Sequence, residues 1–192
     1  MSLRIPVLVG SVRSDRQGIK AARFAMRLLA ARGHDVTLVD PCQLKLPLLD
    51  RMYKEYPRGS APEVLEGLAA LYRAADAFVI VTGEYNHSIP PALSNLLDHF
   101  LEEYFFRPSA IISYSSGSFG GVRAAVQLRA MLCELGMPST PSMFAIPKIG
   151  TALTEEGMPN DPAFEKRFSR FASELEWYGE ALRERRKLGV PY

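Results

Sequence analysis

The sequence has few of the features that mark specialised classes of protein. Its only cysteines, Cys42 and Cys133, have no cysteine or histidine at the spacing of a zinc site. We therefore expect no metal centre and interpret both thiols as buried structural residues. No apolar run reaches the roughly 18 residues of a membrane span, and the first residues lack the apolar stretch of a signal peptide. We expect a cytoplasmic protein without a membrane partner.

The net charge of the chain is also small. The net charge is +2, which is too small to indicate a nucleic-acid partner. Basic residues cluster only in "RERRK" at residues 183–187, which we interpret as a solvated helix end. Hydrophobic residues make up 47% of the chain, a share typical of folded proteins and too high for disorder. We expect residues 1–192 to form one domain.

Five short apolar runs alternate with longer segments of helical periodicity. The runs are residues 3–9, 35–40, 77–82, 110–115 and 142–147. The third and fourth are almost continuously apolar, as expected for strands buried on both faces. The alternation predicts a doubly wound α/β fold with a five-stranded parallel sheet in the order 2-1-3-4-5 and helices on both faces. Pro6 lies in the first run, so we expect a bulge there or pairing that starts at Val7.

The intervening segments repeat apolar residues at steps of three and four, which is typical of amphipathic helices. One such helix is predicted over residues 92–103. Asp161 and Pro162 are placed to cap and begin the last helix. The proline-rich residues 41–62 are interpreted as a surface loop over one edge of the sheet.

A loop rich in serine and arginine joins the first strand to the first helix, in the stretch "GSVRSDRQG" at residues 10–18. Ligands of open α/β sheets bind at the carboxyl ends of strands, and helix N-termini attract anions. The loop has neither the nucleoside-triphosphate motif nor G-x-G-x-x-G. The loop therefore favours binding of a terminal phosphate monoester. The alternative is that these are only surface polar residues in a strand-to-helix turn.

Two further loops follow the third and fourth strands at the same edge. They are "GEYNHSIPP" at residues 83–91 and "SSGSFGG" at residues 115–121. Gly117, Gly120 and Gly121 would let the backbone approach a flat ring closely. Three such loops together favour a ligand with a phosphate at one end and a planar polar ring at the other.

In these three segments the chain resembles the NADPH-dependent FMN reductases, flavodoxin-like proteins that include flavin, azo, quinone and chromate reductases. The resemblance covers roughly residues 3–180. It implies that the FMN phosphate is surrounded by Ser11, Arg13, Arg16, Gln17, Gly18 and Ile19. The ribityl chain and isoalloxazine would be lined by Glu84, Tyr85, Asn86 and His87. The other side of the ring would be bounded by Ser115, Ser116, Gly117, Ser118, Gly120 and Gly121.

The same resemblance implies the activity. The protein would pass electrons from NADPH through FMN to quinones, azo compounds, free flavin or similar small molecules by a ping-pong mechanism. We assign no catalytic residue, because the flavin carries the chemistry. The candidate cations for the 2′-phosphate of NADPH are Arg13, Arg16, Arg107 and Arg123.

The chain departs from the family pattern at two positions. Gly83 stands where a proline is common, and His87 stands where a glycine is common. The bulkier His87 could reshape the entrance over the ring or donate a proton to an acceptor, and an ordinary loop histidine is the alternative.

The predicted helix at 92–103 matches the one that pairs subunits in the family, and its apolar residues extend beyond one stripe. We therefore expect a homodimer or a dimer of dimers through this helix.

Two rival functions remain. The first is a flavodoxin that carries electrons without its own NADPH site, although such carriers are usually strongly acidic. The second is a receiver-type signalling domain of the same topology. A receiver needs acidic residues at the end of the first strand, where this chain has Gly10 and Ser11.

Overall fold

A computed structural model of the chain describes residues 2–192. Five parallel strands form one sheet in the order β2-β1-β3-β4-β5. The strands are β1 (Arg4–Val9), β2 (Asp35–Val39), β3 (Phe78–Thr82), β4 (Ser109–Tyr114) and β5 (Ser139–Ile146). The predicted fold and strand order are confirmed.

Helices cover both faces of the sheet. The main helices are α1 (Gly18–Ala31), α3 (Glu63–Ala74), α4 (Pro91–Asp98), α5 (Val122–Glu134) and α7 (Ala163–Lys187). Two short helices, α2 (Pro41–Leu44) and α6 (Ile149–Ala152), follow β2 and β5, and 3-10 turns occur at Tyr53–Glu55 and Glu102–Tyr104. Helix α7 begins at Ala163 with Pro162 at the N-cap position, one residue later than predicted, and the Asp161 carboxylate accepts a hydrogen bond of 2.8 Å from the N–H of Ala163.

Each face of the sheet has its own apolar core. Helices α1 and α7 pack on one face around Phe24 and Phe144, whose rings lie 5.7 Å apart. Helices α3, α4 and α5 pack on the other face around Tyr72 and Phe100, whose rings meet edge to face at 5.0 Å. Burial of one large apolar side chain stabilises the fold by about 1.5–3 kcal/mol. The two cores therefore hold the strand ends in fixed relative positions.

Pro6 causes no bulge. It lies in the regular register of β1 with β2, opposite Thr37, whereas the pairing of β1 with β3 starts at Val7. Because proline has no N–H to donate, the strand on the β3 side begins one residue after it. The expectation that pairing starts at Val7 therefore holds for β3 but not for β2.

The predicted helix at 92–103 is wrong at its end. Helix α4 stops at Asp98, and Leu101 has φ −148° and ψ −69°, outside the helical region. The Glu103 carboxylate is 1% exposed and pairs with Arg73 at 2.7 Å. The α-helix does not resume after Leu101. Residues Glu102–Tyr104 form a 3-10 turn instead, and the ion-paired Glu103 lies within it.

Residues 41–62 lie over α4 and not over an edge of the sheet. The Asn95 amide donates to the carbonyl of Pro47 at 2.8 Å, and the N–H of Tyr53 donates to the carbonyl of His99 at 2.7 Å. The Tyr53 ring lies 5.7 Å from that of Phe100. The segment therefore extends the second core, and its predicted place over an edge was wrong.

Two smaller expectations are also corrected. Cys42 and Cys133 are free and exposed, not buried. In the basic cluster, Arg183 and Arg186 approach the carboxylate of Asp76 at 3.5 Å, and their side chains are only 18% and 15% exposed. The helix end is therefore only partly solvated. Among residues 2–192, none of the helices combines the length and apolar character that a bilayer crossing requires.

Candidate functional site

The three predicted loops meet at the carboxyl ends of β1, β3 and β4. They enclose a cleft of about 230 Å³. It is lined by Ser11, Arg13, Asp15, Arg16, Gln17, Gly83, Glu84, Tyr85, Tyr114, Ser115, Ser116 and Ile149. The loops therefore form one site, at the edge where strand order reverses between β1 and β3.

In the first loop, Arg16 is committed to a buried ion pair. Its guanidinium donates to both carboxylate oxygens of Asp40, at 2.5 Å to Oδ2, and to the carbonyl of Ser11 at 3.2 Å. The Asp40 side chain is 1% exposed. Burial alone would raise the pKa of Asp40, but hydrogen bonds from Arg16 and from the N–H of Cys42 lower it below its ordinary value. This pair ties the loop after β1 to the end of β2.

Arg13 is in the opposite situation. It pairs with Asp15 through two hydrogen bonds of 2.9 Å, and both side chains are more than 60% exposed. An exposed ion pair is worth at most about 1 kcal/mol. Arg13 can therefore exchange Asp15 for an anion in the cleft at small cost, which Arg16 cannot do.

The start of α1 has unused donors. Among residues 2–192, no acceptor lies within hydrogen-bond reach of the backbone N–H groups of Gln17 and Ile19. The first turn of α1 has no acidic residue and no side-chain cap. Helix N-termini with free N–H groups and partial positive charge bind anions.

Three hydroxyl groups gather beside this helix start. The Ser11 hydroxyl lies 2.6 Å from that of Tyr85. Tyr114, the last residue of β4, is 7% exposed and reaches toward both. Burial, reinforced by the neighbouring Tyr85, raises the pKa of Tyr114 to about 12 against the opposing hydrogen bonds from Ser11 and the N–H of Gly18. The Tyr114 hydroxyl therefore stays protonated near neutral pH.

The second loop contains a tight turn. Tyr85 and Ser88 exchange two backbone hydrogen bonds of 3.1 and 2.9 Å, and the residues between them, Asn86 and His87, have φ of 50° and 65°. Positive φ at both central positions is typical of a type I′ turn, which favours Asn followed by Gly. His87 thus adopts a backbone conformation suited to glycine. Its exposed side chain does not line the cleft, although its carbonyl accepts a hydrogen bond from Gln127 at 2.8 Å.

The glycines of the third loop have different surroundings. A Cβ at Gly121 would lie 2.6 Å from the carbonyl oxygen of Tyr114, and one at Gly120 would lie 3.1 Å from the Cβ of Ala145. Both have positive φ, so the turn itself requires glycine at these positions. Nothing lies within 4 Å of a Cβ at Gly117. Only Gly117 is therefore open to a ligand in the way that the sequence suggests.

The four candidate arginines for the NADPH 2′-phosphate differ in position and in partners. Arg107 lies before β4, at the amino ends of the strands, and donates to the carbonyls of Ala75, Phe105 and Arg73. It is therefore remote from the cleft. Arg123 lies at the cleft side of α5 and pairs with Glu84, whose pKa the Arg123 hydrogen bond lowers. The Arg123 guanidinium also lies 5.0 Å from the centre of the exposed Phe119 ring.

Half of the predicted site residues line the cleft. They are Ser11, Arg13, Arg16, Gln17, Glu84, Tyr85, Ser115 and Ser116. The others lie in the same loops outside the lining: Gly18, Ile19, Asn86, His87, Gly117, Ser118, Gly120 and Gly121.

Sequence reasoning missed several lining residues. They are Asp15, Gly83, Tyr114 and Ile149. It also missed Asp40, which holds Arg16. Asp40 and Tyr114 could have been found, because each is a polar residue at the carboxyl end of a predicted strand.

Comparison with known proteins decides the family. The sequence model of the NADPH-dependent FMN reductases matches residues 3–151. This chain belongs to that family. It is an oxidoreductase that works with FMN and NAD(P)H.

Individual relatives agree with this family. A quinone reductase of Pseudomonas putida is 32% identical over 179 residues, covering 88% of this chain and 92% of that protein. An NAD(P)H-dependent FMN reductase of Schizosaccharomyces pombe is 29% identical over 154 residues, covering 74% and 72%. The structure of FerB, a flavoenzyme NAD(P)H:(acceptor) oxidoreductase from Paracoccus denitrificans, superposes with a TM-score of 0.71 at 22% identity, covering 95% and 98%. This last likeness concerns the fold.

The donor set of the cleft fits FMN. Unused N–H groups at the start of α1, an exchangeable Arg13 and protonated hydroxyls suit a terminal phosphate. In the third loop, next to the lining residues Ser115 and Ser116, no atom lies within 4 Å of a Cβ at Gly117, so the backbone there is open to a flat ring.

Proposed function

We propose that the carboxyl-edge cleft binds FMN and that the protein passes electrons from NADPH to quinones and similar flat acceptors. The observation that carries this proposal is the convergence of three loops around unused anion donors at the start of α1. The quinone reductase from Pseudomonas putida supports the acceptor class by its name. We propose that all of residues 1–192 serve this one FMN-binding unit.

When bound, FMN supplies the hydride and electron chemistry at its ring. The chain supplies position and charge. Backbone N–H groups of Gln17 and Ile19 and the Arg13 guanidinium would hold the phosphate, while Arg16 would fix the loop through Asp40. Residues 115–121 would bound the ring, and their backbone N–H groups would favour negative charge there.

We propose that NADPH and acceptor use one place in turn. Both substrates would react at the same flavin ring. Arg16 is committed to Asp40 and Arg107 is remote from the cleft, so Arg13 and Arg123 are the candidates left for the NADPH 2′-phosphate. Azo compounds and free flavin are further proposed acceptors, because they too are flat aromatic molecules.

Initial rates measured with NADPH and a quinone test this proposal. A shared place predicts parallel double-reciprocal lines at several fixed quinone concentrations. Intersecting lines would mean that both substrates bind together and would contradict it. An electron-carrier flavodoxin, the rival function, would show no steady-state NADPH oxidation with quinone alone.

Assembly and location stay predictions. The argument for a dimer from surplus apolar surface does not hold, because Leu93, Leu96, Leu97 and Phe100 are 0% exposed within one chain. The homodimer or dimer of dimers therefore rests on the family alone. Light scattering at micromolar concentration would decide it, and a monomeric mass would refute it. The cytoplasmic location rests on the sequence analysis.

A further inference from the structure

The Tyr114 side chain lies against two glycines of the cleft, Gly18 and Gly83, and occupies space that a Cβ at either position would need. A Cβ at Gly18 would lie 2.6 Å from the Tyr114 hydroxyl oxygen, and a Cβ at Gly83 would lie 3.0 Å from it. Contacts this short require a neighbour to move, so both positions fit glycine while Tyr114 keeps its place. The departure of Gly83 from the family pattern thus has a structural reason in this chain.

The hydroxyl groups around Tyr114 have more protons than protein acceptors. The Ser11 hydroxyl lies 2.6 Å from that of Tyr85, and the Tyr114 hydroxyl lies against Gly18. Each hydroxyl carries one proton. Within residues 2–192 no carbonyl or carboxylate accepts a hydrogen bond from any of these three hydroxyls. At least one of the three hydroxyl protons therefore has no acceptor among these residues. All three side chains line the cleft, so this proton is available to a ligand there.

The surroundings of Tyr114 make it a donor to an anion. Burial raises the pKa of Tyr114 to about 12, so the group keeps its proton at neutral pH. Gly18 is the first residue of α1, so the hydroxyl lies where the positive end of the helix dipole favours negative charge.

We propose that Tyr114 is an additional determinant of flavin binding in this chain, and that its hydroxyl, which lies against Gly18 at the start of α1, donates to the phosphate end of FMN. The proposal rests on the proposed function, because it assumes that FMN occupies this cleft. We assign the hydroxyl to the phosphate end of FMN because it lies beside the start of α1, where the anion donors are. The ring end is assigned to the loop after β4, where the backbone at Gly117 is open.

The test compares FMN with riboflavin, which has the same ring and ribityl chain but no phosphate. Tyr114→Phe keeps the ring and removes the hydroxyl. Titration of the apoprotein, followed by quenching of flavin fluorescence, should show FMN binding weakened about ten- to a hundredfold, as for the loss of one hydrogen bond to a charged group. Riboflavin binding should change by less than about twofold. Tyr72→Phe, at a fully buried tyrosine in the opposite core, is the matched control and should alter neither affinity.

Two outcomes would overturn the proposal. Equal loss of FMN and riboflavin affinity would show that the hydroxyl does not act on the phosphate, and unchanged FMN affinity would show that it serves the fold alone. If the wild-type protein bound no FMN, the proposed function itself would fail, and this result is distinct from both.

A second variant tests the glycine. Gly83→Ala places a methyl group against the Tyr114 ring and should weaken FMN binding by displacing the hydroxyl. In a Tyr114→Ala background the same change should have almost no further effect, because the side chain that it displaces is gone. The same loss in both backgrounds would mean that Gly83 acts independently of Tyr114 and would contradict the proposal.

Discussion

At the amino ends of the strands, Asp76 and Arg107 find hydrogen-bond partners within the protein, whereas at the carboxyl ends several donors lack an acceptor among the described residues. The Asp76 carboxylate accepts from the N–H of Arg4 at 2.9 Å, and Arg107 donates to three backbone carbonyls. At the opposite edge, the N–H groups of Gln17 and Ile19 find no acceptor among residues 2–192. The same sheet thus has one edge whose charges hold the fold and one whose donors are available to a ligand.

Arg16 is the exception that defines this difference. It lies at the ligand edge, yet its guanidinium is committed to Asp40 and Ser11. An exposed pair in the same loop, Arg13–Asp15, is free to rearrange. Both arginines lie at the site, so the difference between them comes from their carboxylate partners: the Asp40 side chain is buried and that of Asp15 is exposed.

The largest expected effect is on stability, from Arg16→Ala. It would leave the buried Asp40 carboxylate without its cation. Removing one partner of a buried pair costs about 3–5 kcal/mol, and the lower value applies because Arg16 keeps some contact with solvent. Urea unfolding of the apoprotein measures it. Arg27→Ala, which breaks the more exposed pair with Glu165, is the control and should cost less than about 1 kcal/mol.

Arg107→Ala is expected to have the next largest effect, at the amino edge. The change removes the donors to the carbonyls of Ala75, Phe105 and Arg73. Unsatisfied polar groups cost about 1–3 kcal/mol each when buried, and water will replace part of the loss here, so about 2 kcal/mol is expected. FMN affinity of the folded protein should not change. A clear loss of FMN affinity would contradict the division between the two edges.

Arg13→Ala should reverse that result, with a loss of binding and almost no loss of stability. FMN affinity should fall about ten- to a hundredfold, or 1.5–3 kcal/mol, because a charged donor to the phosphate is lost. Titration of the apoprotein measures it. Asp15→Asn is the matched control and should keep or raise the affinity, since it removes the competing carboxylate. Unchanged affinity in Arg13→Ala would show that Arg13 is only a surface residue.

His87→Gly is expected to have the smallest effect. Glycine adopts the positive φ of this turn position without steric cost, so stability should rise by about 0.5 kcal/mol. If His87 restricts the entrance, the change should raise rates with bulky acceptors more than rates with small quinones. An equal factor for both classes would show that the departure from the family pattern has no role in selectivity.

Much of the fold could be predicted because its signals are local. The five apolar runs and the helical stripes each report burial within a few residues of chain. The end of α4 could not be predicted in this way, because it coincides with an ion pair between Glu103 and Arg73, which lie far apart in sequence. The place of residues 41–62 over α4 depends on similar distant contacts.

The site was predictable as a set of loops but not as a set of contacts. Loop order and strand ends brought Ser11, Tyr85 and Ser115 together correctly. Asp40 and Tyr114 stand at the ends of predicted strands, but no sequence signal pairs Asp40 with Arg16 or places Tyr114 against Gly18. The glycines of the third loop were assigned to the ligand, whereas packing against Tyr114 and Ala145 requires two of them.

The most direct test of the central claim is anaerobic mixing of the FMN-loaded protein with NADPH. If the cleft binds FMN beside a place for NADPH, the visible absorbance of the bound flavin should bleach within the mixing experiment and return when quinone is added. Flavin that stays oxidised in the presence of excess NADPH would contradict the account and leave the protein as an electron carrier.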